Sequence, residues 1–182
     1  IPQFYERILN VFRSEGFQLE YLPFYLRWAD GHYQMSKFPI ALPFLQEIIA
    51  TCEKQGYQDQ PQYPRSLILT GNIHYYINNQ EDAEKYLLKA IQVTRQVNLP
   101  DAKGNAYTSL AMVYAAKKNN LLARSDLDTA FVVMEGKKEC RACLRKAYRV
   151  EASIHNLEKK YELALDQLIS LRPYYDDPKN PA

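Results

Sequence analysis

Apolar and small residues recur along this chain every three or four positions, in runs separated by short polar stretches. That spacing places apolar side chains on one face of an α-helix, whereas a strand would alternate them at every second residue. Short connections between such runs force consecutive helices to lie antiparallel. The breaks inside the predicted pairs read "QMSK", "INNQ", "KKNN" and "LEKK". The pattern therefore predicts an all-α chain built from helical hairpins.

Small residues mark both helices of each predicted hairpin. On the first helices these are Ala29, Gly71, Ala111 and Ala152. On the second helices they are Ala41, Ala83, Ala123 and Ala164. Successive members of either set are 42, 40 and 41 residues apart. Because a fixed period of about 20 to 50 residues is typical of stacked structural repeats, the sequence predicts four repeats.

Residues at the predicted helix ends fit this register. Glu81 and Asp82 open one second helix, where the positive end of the helix dipole favours acidic side chains. Gly56, Asn98 and Gly136 follow second helices, and these residue types readily adopt the left-handed conformation after a helix end. We therefore expect the second helices to end in register with one another.

Two segments depart from the regular pattern. Pro39 and Pro43 fall early in one second helix, where Pro43 removes a backbone hydrogen bond, so we expect that helix to bend or to begin late. Residues 2–15, followed by Gly16, have the pattern of a second helix without its partner. We interpret them as the end of an incomplete earlier unit, in a chain that begins inside a longer protein.

These features resemble the tetratricopeptide repeat family over residues 20–172. The paired small residues match the positions where the two helices of a unit of that family nearly touch. Tyr25, Tyr107 and Tyr148 match its large aromatic residue near the start of the first helix, where the second unit has Leu67. Units of 40 to 42 residues exceed the usual length of about 34. They resemble the longer variety found in kinesin light chains and in bacterial sensor and regulator proteins.

The resemblance implies a right-handed superhelical solenoid of antiparallel hairpins. HEAT and armadillo repeats share the repeat length, but the paired small residues argue against them. The whole chain, 1–182, is expected to form one solenoid domain. Its repeats span 20–57, 62–98, 102–136 and 139–172, and residues 173–182 form a tail.

Composition and charge exclude some classes of partner. The net charge of +2 comes from 23 basic and 21 acidic residues scattered along 182 positions, so no basic patch indicates a nucleic acid partner. No apolar run approaches the roughly 18 residues that a membrane-spanning helix needs, so we expect no membrane span. No targeting segment indicates a compartment, and the localisation stays open.

The histidines fall at one equivalent position of the repeat. His32, His74 and His155 occupy it, and Tyr114 takes it in the remaining unit. Equivalent positions of adjacent units lie at least about 8 to 10 Å apart, so these side chains cannot bind one metal ion. We interpret them as packing positions, and we predict neither a metal site nor a cofactor.

Cys140 and Cys143 form a C-x-x-C pattern at the predicted start of a helix, among lysines and arginines that favour a thiolate. The thioredoxin motif requires a strand-helix-strand context, and a zinc site requires two further ligands; the pattern provides neither. We interpret the pair as ordinary helix cysteines, with a reactive thiol as the alternative. Cys52 lies in an apolar helix and is expected in the core.

No nucleophile elbow, phosphate-binding loop or pair of catalytic carboxylates occurs in the sequence, so we do not expect an enzyme. The resemblance instead implies a concave groove lined by the first helices, where the family binds peptides or partner helices. The predicted ligand-binding residues are Arg65, Asn72, Tyr75, Tyr76, Asn105, Thr108, Met112, Lys146, Arg149, Ser153 and Asn156.

Further groove positions are Leu26, Asp30, Tyr33 and Ile68. Asn72 and Lys146 match two places of the family's carboxylate clamp for chaperone tails, but Ile68 replaces a required basic residue. We therefore do not expect that particular ligand.

The sequence thus predicts a non-catalytic module that binds a protein or peptide, as the sensory or partner-binding region of a larger bacterial regulator. Two alternatives remain. One is a self-associating scaffold that forms homo-oligomers, and the other is a thiol-based redox sensor that uses Cys140 and Cys143.

Overall fold

The computed structural model describes residues 19–135, 137 and 140–171, together with Arg7 and Asn10. All regular structure in those residues is helical, which confirms the predicted all-α class. A 3-10 helix covers Leu19–Tyr21. The α-helices that follow are α1 Leu22–Gln34, α2 Phe38–Gln55, α3 Gln62–Tyr76, α4 Gln80–Thr94, α5 Pro100–Ala116, α6 Asn120–Met134, α7 Arg141–Leu157 and α8 Tyr161–Ile169.

Some predicted features lie outside the described residues. These are Gly16, Gly136, the tail over 173–182 and the predicted helix over 2–15 apart from Arg7 and Asn10, which are both helical.

The chain divides into two compact units, residues 1–97 (unit 1) and 98–182 (unit 2). In unit 1, α1 pairs with α2 and α3 pairs with α4, while α3 also packs against α1 and α2. Unit 2 follows the same scheme: α5 pairs with α6, α7 pairs with α8, and α7 packs against α5 and α6. Each unit therefore contains two stacked hairpins, as the periodicity predicts.

The helices of a hairpin approach closely at the small residues that mark the repeat. All eight of those residues are buried. A Cβ atom placed on Gly71 would lie 2.7 Å from Leu87 Cγ and 3.2 Å from the backbone oxygen of Ala83. Real Cβ atoms essentially never lie as close as 2.7 Å to a neighbour, so a larger residue at position 71 would push the Leu87 side chain aside.

The hairpin turns share one backbone conformation. Each contains a residue with positive φ: Ser36 at 57°, Asn78 at 60°, Lys118 at 60° and Lys159 at 61°. The N–H of the next residue donates to a carbonyl in the last turn of the first helix, as Asn79 does to His74 at 2.8 Å. The Asn79 side chain then accepts a hydrogen bond from the Asp82 N–H at 3.3 Å and caps α4. The predicted turn at Asn78 and Asn79 is confirmed.

The ends of the second helices agree with the sequence only in part. Gly56 ends α2 in the left-handed conformation, with φ of 78°, as predicted. The prediction for Asn98 is wrong, because α4 ends at Thr94 and Asn98 is not among the described residues with positive φ. The chain continues instead in right-handed turns, in which the Gln96 N–H donates to the Val93 carbonyl at 2.9 Å.

Proline does not delay α2. The helix begins at Phe38 and places Pro39 in its first turn, where the missing N–H would have no helical partner. Pro43 lies inside the helix at an exposed position. The expectation that this helix begins late is therefore wrong.

None of the helices within the described residues is both long and apolar enough to cross a bilayer.

Candidate binding faces on the first helices

Unit 1 carries four aromatic side chains around its hairpin turns. This aromatic cluster consists of Tyr33 at the end of α1, Phe38 at the start of α2, and Tyr75 and Tyr76 at the end of α3. Phe38 and Tyr76 are stacked, with ring centroids 5.7 Å apart and an interplanar angle of 12°. The Tyr33 ring lies 6.0 Å from Phe38 and 6.2 Å from Tyr76. Because Tyr76 is 53% exposed, the cluster reaches the surface of the unit.

Polar groups adjoin the aromatic cluster. Asn72 lies one helical turn before Tyr76, is only 4% exposed and hydrogen-bonds the Tyr33 side chain. Burial, followed by the neighbouring Tyr76 hydroxyl, raises the pKa of Tyr33 well above its usual value. The Tyr33 hydroxyl is therefore protonated at physiological pH, and it hydrogen-bonds the Tyr76 side chain.

The other predicted positions in α3 differ in exposure. Arg65 is exposed and Tyr75 is half-buried. Ile68 is 2% exposed and contributes to the core, so this place provides no cation to a ligand.

Unit 2 holds a lysine amine between α5 and α7. Lys146 Nζ donates to Asn105 Oδ1 at 2.9 Å and to Ser109 Oγ at 2.6 Å. The Ser109 hydroxyl donates in turn to the Asn105 carbonyl at 2.8 Å, so its oxygen is free to accept from the lysine. Burial lowers the pKa of Lys146 to about 8, although the neighbouring Cys143 acts in the opposite direction. At pH 7 this amine is mostly charged, and about one tenth of it is uncharged.

The remaining predicted positions of unit 2 divide by exposure. Those exposed on α7 are Arg149, Ser153 and Asn156. Met112 is half-buried and packs against the hydrophobic core of the unit. Thr108 is fully buried, and its hydroxyl donates to the Gly104 carbonyl at 2.9 Å. We therefore leave Thr108 out of the contact residues proposed below.

The histidines are buried, with 5% of His32, 8% of His74 and 7% of His155 exposed. The His32 ring lies 4.2 Å from Trp28, and the His74 ring stacks on Tyr86 at 5.4 Å. Burial is the main cause that lowers the pKa of His32 and of His155, so both are neutral near pH 7. Across the part of the chain that the structure describes, no group of three or more His, Cys, Asp or Glu residues is placed to hold a metal ion.

The three cysteines differ in access. Cys140 is the N-cap residue of α7 and is fully buried. Cys143 is half-buried, and its thiol donates to the Asp101 carbonyl at 3.5 Å. Cys52 is fully buried in α2, and burial raises its pKa to about 11. Cys143 is therefore the thiol that solvent reaches most readily.

Two residues of these faces were missed by sequence reasoning. Phe38 belongs to a second helix, whereas the resemblance directs attention to the first helices. The available sequence signal was its place directly after the polar break "QMSK". Ser109 follows Asn105 by four positions, and residues four apart lie on one face of a helix. That spacing indicated that Asn105 and Ser109 can hydrogen-bond the same side chain, which is Lys146.

Comparison with known proteins identifies a repeat in the middle of the chain. A family profile described as tetratricopeptide repeat matches residues 70–101, which include all of α4. No curated protein matches the sequence significantly.

Several solved structures share the fold. BtubC (BKLC) from P. vanneervenii matches with a TM-score of 0.67 at 13% identity, over 88% of this chain and 68% of that one. The apo form of RapI matches with a TM-score of 0.70 at 14% identity, over 97% of this chain. The match covers 48% of RapI, so this chain spans about half its length.

A protein of P. anserina assigned as a kinesin light chain, with nearly identical TPR-like repeats, matches with a TM-score of 0.63 at 13% identity. That match covers 91% of this chain and 82% of the other. At such low identities the likeness concerns the fold alone.

Proposed function

We propose that the first-helix faces bind an extended peptide segment of a protein partner, because residues 70–101 match the tetratricopeptide repeat profile and the chain shares the fold of TPR-like repeat proteins. The observation that carries this proposal is the aromatic cluster, which joins both hairpins of unit 1 and is exposed at Tyr76. Tyrosine supplies a large contact area with few rotatable bonds, so it loses little conformational entropy on binding. The cluster is therefore a suitable anchor for an apolar or aromatic side chain of a peptide.

Polar groups beside the cluster support peptide recognition. Asn72 is buried beside the aromatic rings and hydrogen-bonds the Tyr33 side chain, so it holds the cluster in place for a peptide. In unit 2, the exposed Arg149 and the half-buried Lys146 favour an acidic group, and Ser153 and Asn156 add hydrogen-bonding capacity. We propose that each unit contributes one such subsite.

The proposal includes a wider role. The comparisons indicate no enzyme family, and we propose a non-catalytic module without a cofactor. We further propose that it serves as the partner-binding region of a larger bacterial regulator, since units of 40 to 42 residues resemble those of such proteins. Nucleic acid is not the proposed partner, because the charges are evenly mixed.

Replacing Tyr76 with alanine tests the aromatic cluster. Peptides are first selected on the parent protein from a displayed random library, and their affinities for the variant are then measured. We expect binding to weaken by about 5- to 30-fold, because an interface tyrosine removed from a hot spot costs roughly 1 to 2 kcal/mol.

Leu88→Ala is the control, because Leu88 is also exposed, at 47%, and belongs to the same unit but lies on the second helix α4. Fluorescence of Trp28, the only tryptophan, shows whether unit 1 keeps its fold. Equal losses for the two variants, or none for Tyr76→Ala, would place peptide binding away from the aromatic cluster.

A second candidate, self-association, is favoured by the exposed side of α8. This α8 stripe consists of Tyr161, Leu165, Leu168 and Ile169, which are 48% to 62% exposed and lie on one side of the helix. Asn120 and Arg124 on α6 are 41 positions before Tyr161 and Leu165, and both bond Glu158 at the end of α7. The α8 stripe therefore occupies the positions that, on the equivalent helix α6, contact the following hairpin. An exposed apolar surface of this kind is typical of an interface.

Light scattering tests self-association. The parent is expected to increase in mass with concentration, and Leu165→Glu is expected to remain monomeric because it places a charge in the apolar stripe. Leu121→Glu serves as the control, since Leu121 is an 84% exposed leucine on α6. A parent that stays monomeric at all concentrations would refute this candidate.

A further inference from the structure

Two nucleophilic side chains lie next to each other in unit 2, between α5 and α7. Cys143 and Lys146 are three positions apart on α7, and residues at this spacing share one face of a helix. The Cys143 thiol contacts the Asp101 carbonyl, and the Lys146 amine contacts Asn105 and Ser109. Both residues are half-buried rather than fully enclosed.

The surroundings of Lys146 suit an uncharged amine. A neutral amine has two N–H groups and one lone pair. Asn105 Oδ1 and Ser109 Oγ accept both N–H groups at 2.9 and 2.6 Å, which leaves the lone pair available as a nucleophile. No carboxylate of the described residues forms an ion pair with this amine. The lowered pKa of about 8 agrees with this geometry.

We propose that Lys146 is a site of covalent acylation, and that Cys143 first accepts the acyl group from a small acyl thioester and then passes it to the amine. Direct attack by amines on thioesters is slow, whereas a thiolate exchanges with a thioester readily. A thiol held beside an unprotonated amine therefore provides the faster route, because the second transfer occurs within one helix face.

The chemistry balances without an oxidant or a reductant. The Cys143 thiol loses its proton to solvent, the resulting thiolate attacks the acyl carbon, a carbon–sulfur bond forms, and the donor leaves as its own thiolate. The Lys146 amine then attacks the same carbon, a carbon–nitrogen bond forms, and the bond to Cys143 breaks. The proton lost by the amine goes to the Cys143 sulfur, which leaves an amide on Lys146 and restores the thiol.

Acylation would change the first-helix face of unit 2. The amide removes the positive charge of Lys146 and one hydrogen-bond donor, while Arg149 keeps its charge. The modification thereby reduces the attraction of this face for an acidic group. This inference stands on the arrangement of Cys143 and Lys146, and it does not depend on the aromatic cluster of unit 1.

The full chain is incubated with acetyl-coenzyme A near pH 8 and then digested after glutamate, which yields a peptide over 140–151 with Lys146 as its only lysine. Mass spectrometry follows the acetyl group on that peptide, and hydroxylamine removes any that is held as a thioester. We expect Lys146 to be acetylated at least about tenfold faster than the exposed Lys118, because Cys143 delivers the acetyl group to Lys146 within one helix face. In Cys143→Ser we expect the rate at Lys146 to fall by at least about fivefold.

Two further measurements separate transfer from loss of fold. Lys146→Arg is expected to accumulate a hydroxylamine-sensitive acetyl group on Cys143, because no amine receives it. Acetyl phosphate, which acylates amines directly, is expected to modify Lys146 equally well in the parent and in Cys143→Ser. Equal rates at Lys146 and Lys118, an unchanged rate in Cys143→Ser with acetyl-coenzyme A, or failure of acetyl phosphate to modify Lys146 would each overturn the proposal.

Discussion

Replacing Ala83 with leucine is expected to destabilise unit 1 by about 1 to 3 kcal/mol. Ala83 is fully buried, and its backbone oxygen lies 3.2 Å from the position that a Cβ of Gly71 would take. Leu87, one turn later, already fills the space over Gly71. The extra carbons of a leucine therefore have no room unless α3 and α4 move apart.

Urea unfolding followed by Trp28 fluorescence measures this effect, because the single tryptophan lies in α1 of unit 1. Ala50→Leu is the matched control, since Ala50 is an exposed alanine on the second helix α2. We expect the control to change the free energy of unfolding by less than about 0.5 kcal/mol. If Ala83→Leu unfolds at the same urea concentration as the parent, the close crossing of α3 and α4 is wrong.

Removing the side chain of Met134 is expected to destabilise unit 2 by about 2 to 5 kcal/mol, as for other fully buried large residues. Met134 ends α6 and covers Gly104 in α5. A Cβ on Gly104 would overlap Met134 Cγ and lie 2.5 Å from Sδ. Glycine at position 104 thus makes room for a side chain of the paired helix.

This contact makes the effect of Gly104→Ala depend on residue 134. In the parent, the added methyl group displaces Met134 and the substitution destabilises the protein. In a Met134→Ala background the space is empty, and alanine should stabilise unit 2 by up to about 1 kcal/mol, because glycine is the weaker helix former. Urea unfolding of the four proteins, followed by circular dichroism, measures both signs. The same sign in both backgrounds would show that Met134 does not fill the space over Gly104.

The hairpins were predictable because their cause is local. Apolar spacing gives the helices, and the turn residues Asn78 and Asn79 lie where the polar breaks indicate. The glycine at position 104 was not explained by the sequence, because its reason is a side chain on another helix. Asn98 has a residue type suited to the left-handed conformation, but α4 ends four residues earlier and the chain does not use it.

The candidate faces were predictable to a smaller extent. The repeat register places Tyr76 and Arg149 on exposed parts of first helices, and the structure finds both at the surface. The same register predicted Thr108 as a groove residue, but Thr108 is buried. On a helix, a position beside the exposed face can already face a neighbouring helix. The hydrogen-bond partners of Lys146 could not be predicted from the sequence, because they depend on the packing of α7 against α5.

Each unit contains one cysteine that solvent does not reach. Cys52 belongs to unit 1 and Cys140 to unit 2, and both side chains are fully buried. An alkylating reagent can modify such a thiol only when the surrounding helices open, so its labelling rate reports the free energy of local unfolding. Pulse labelling with site-resolved mass spectrometry would therefore follow the opening of both units in one unmodified protein. It would show directly whether the two repeat pairs unfold as one cooperative block or independently.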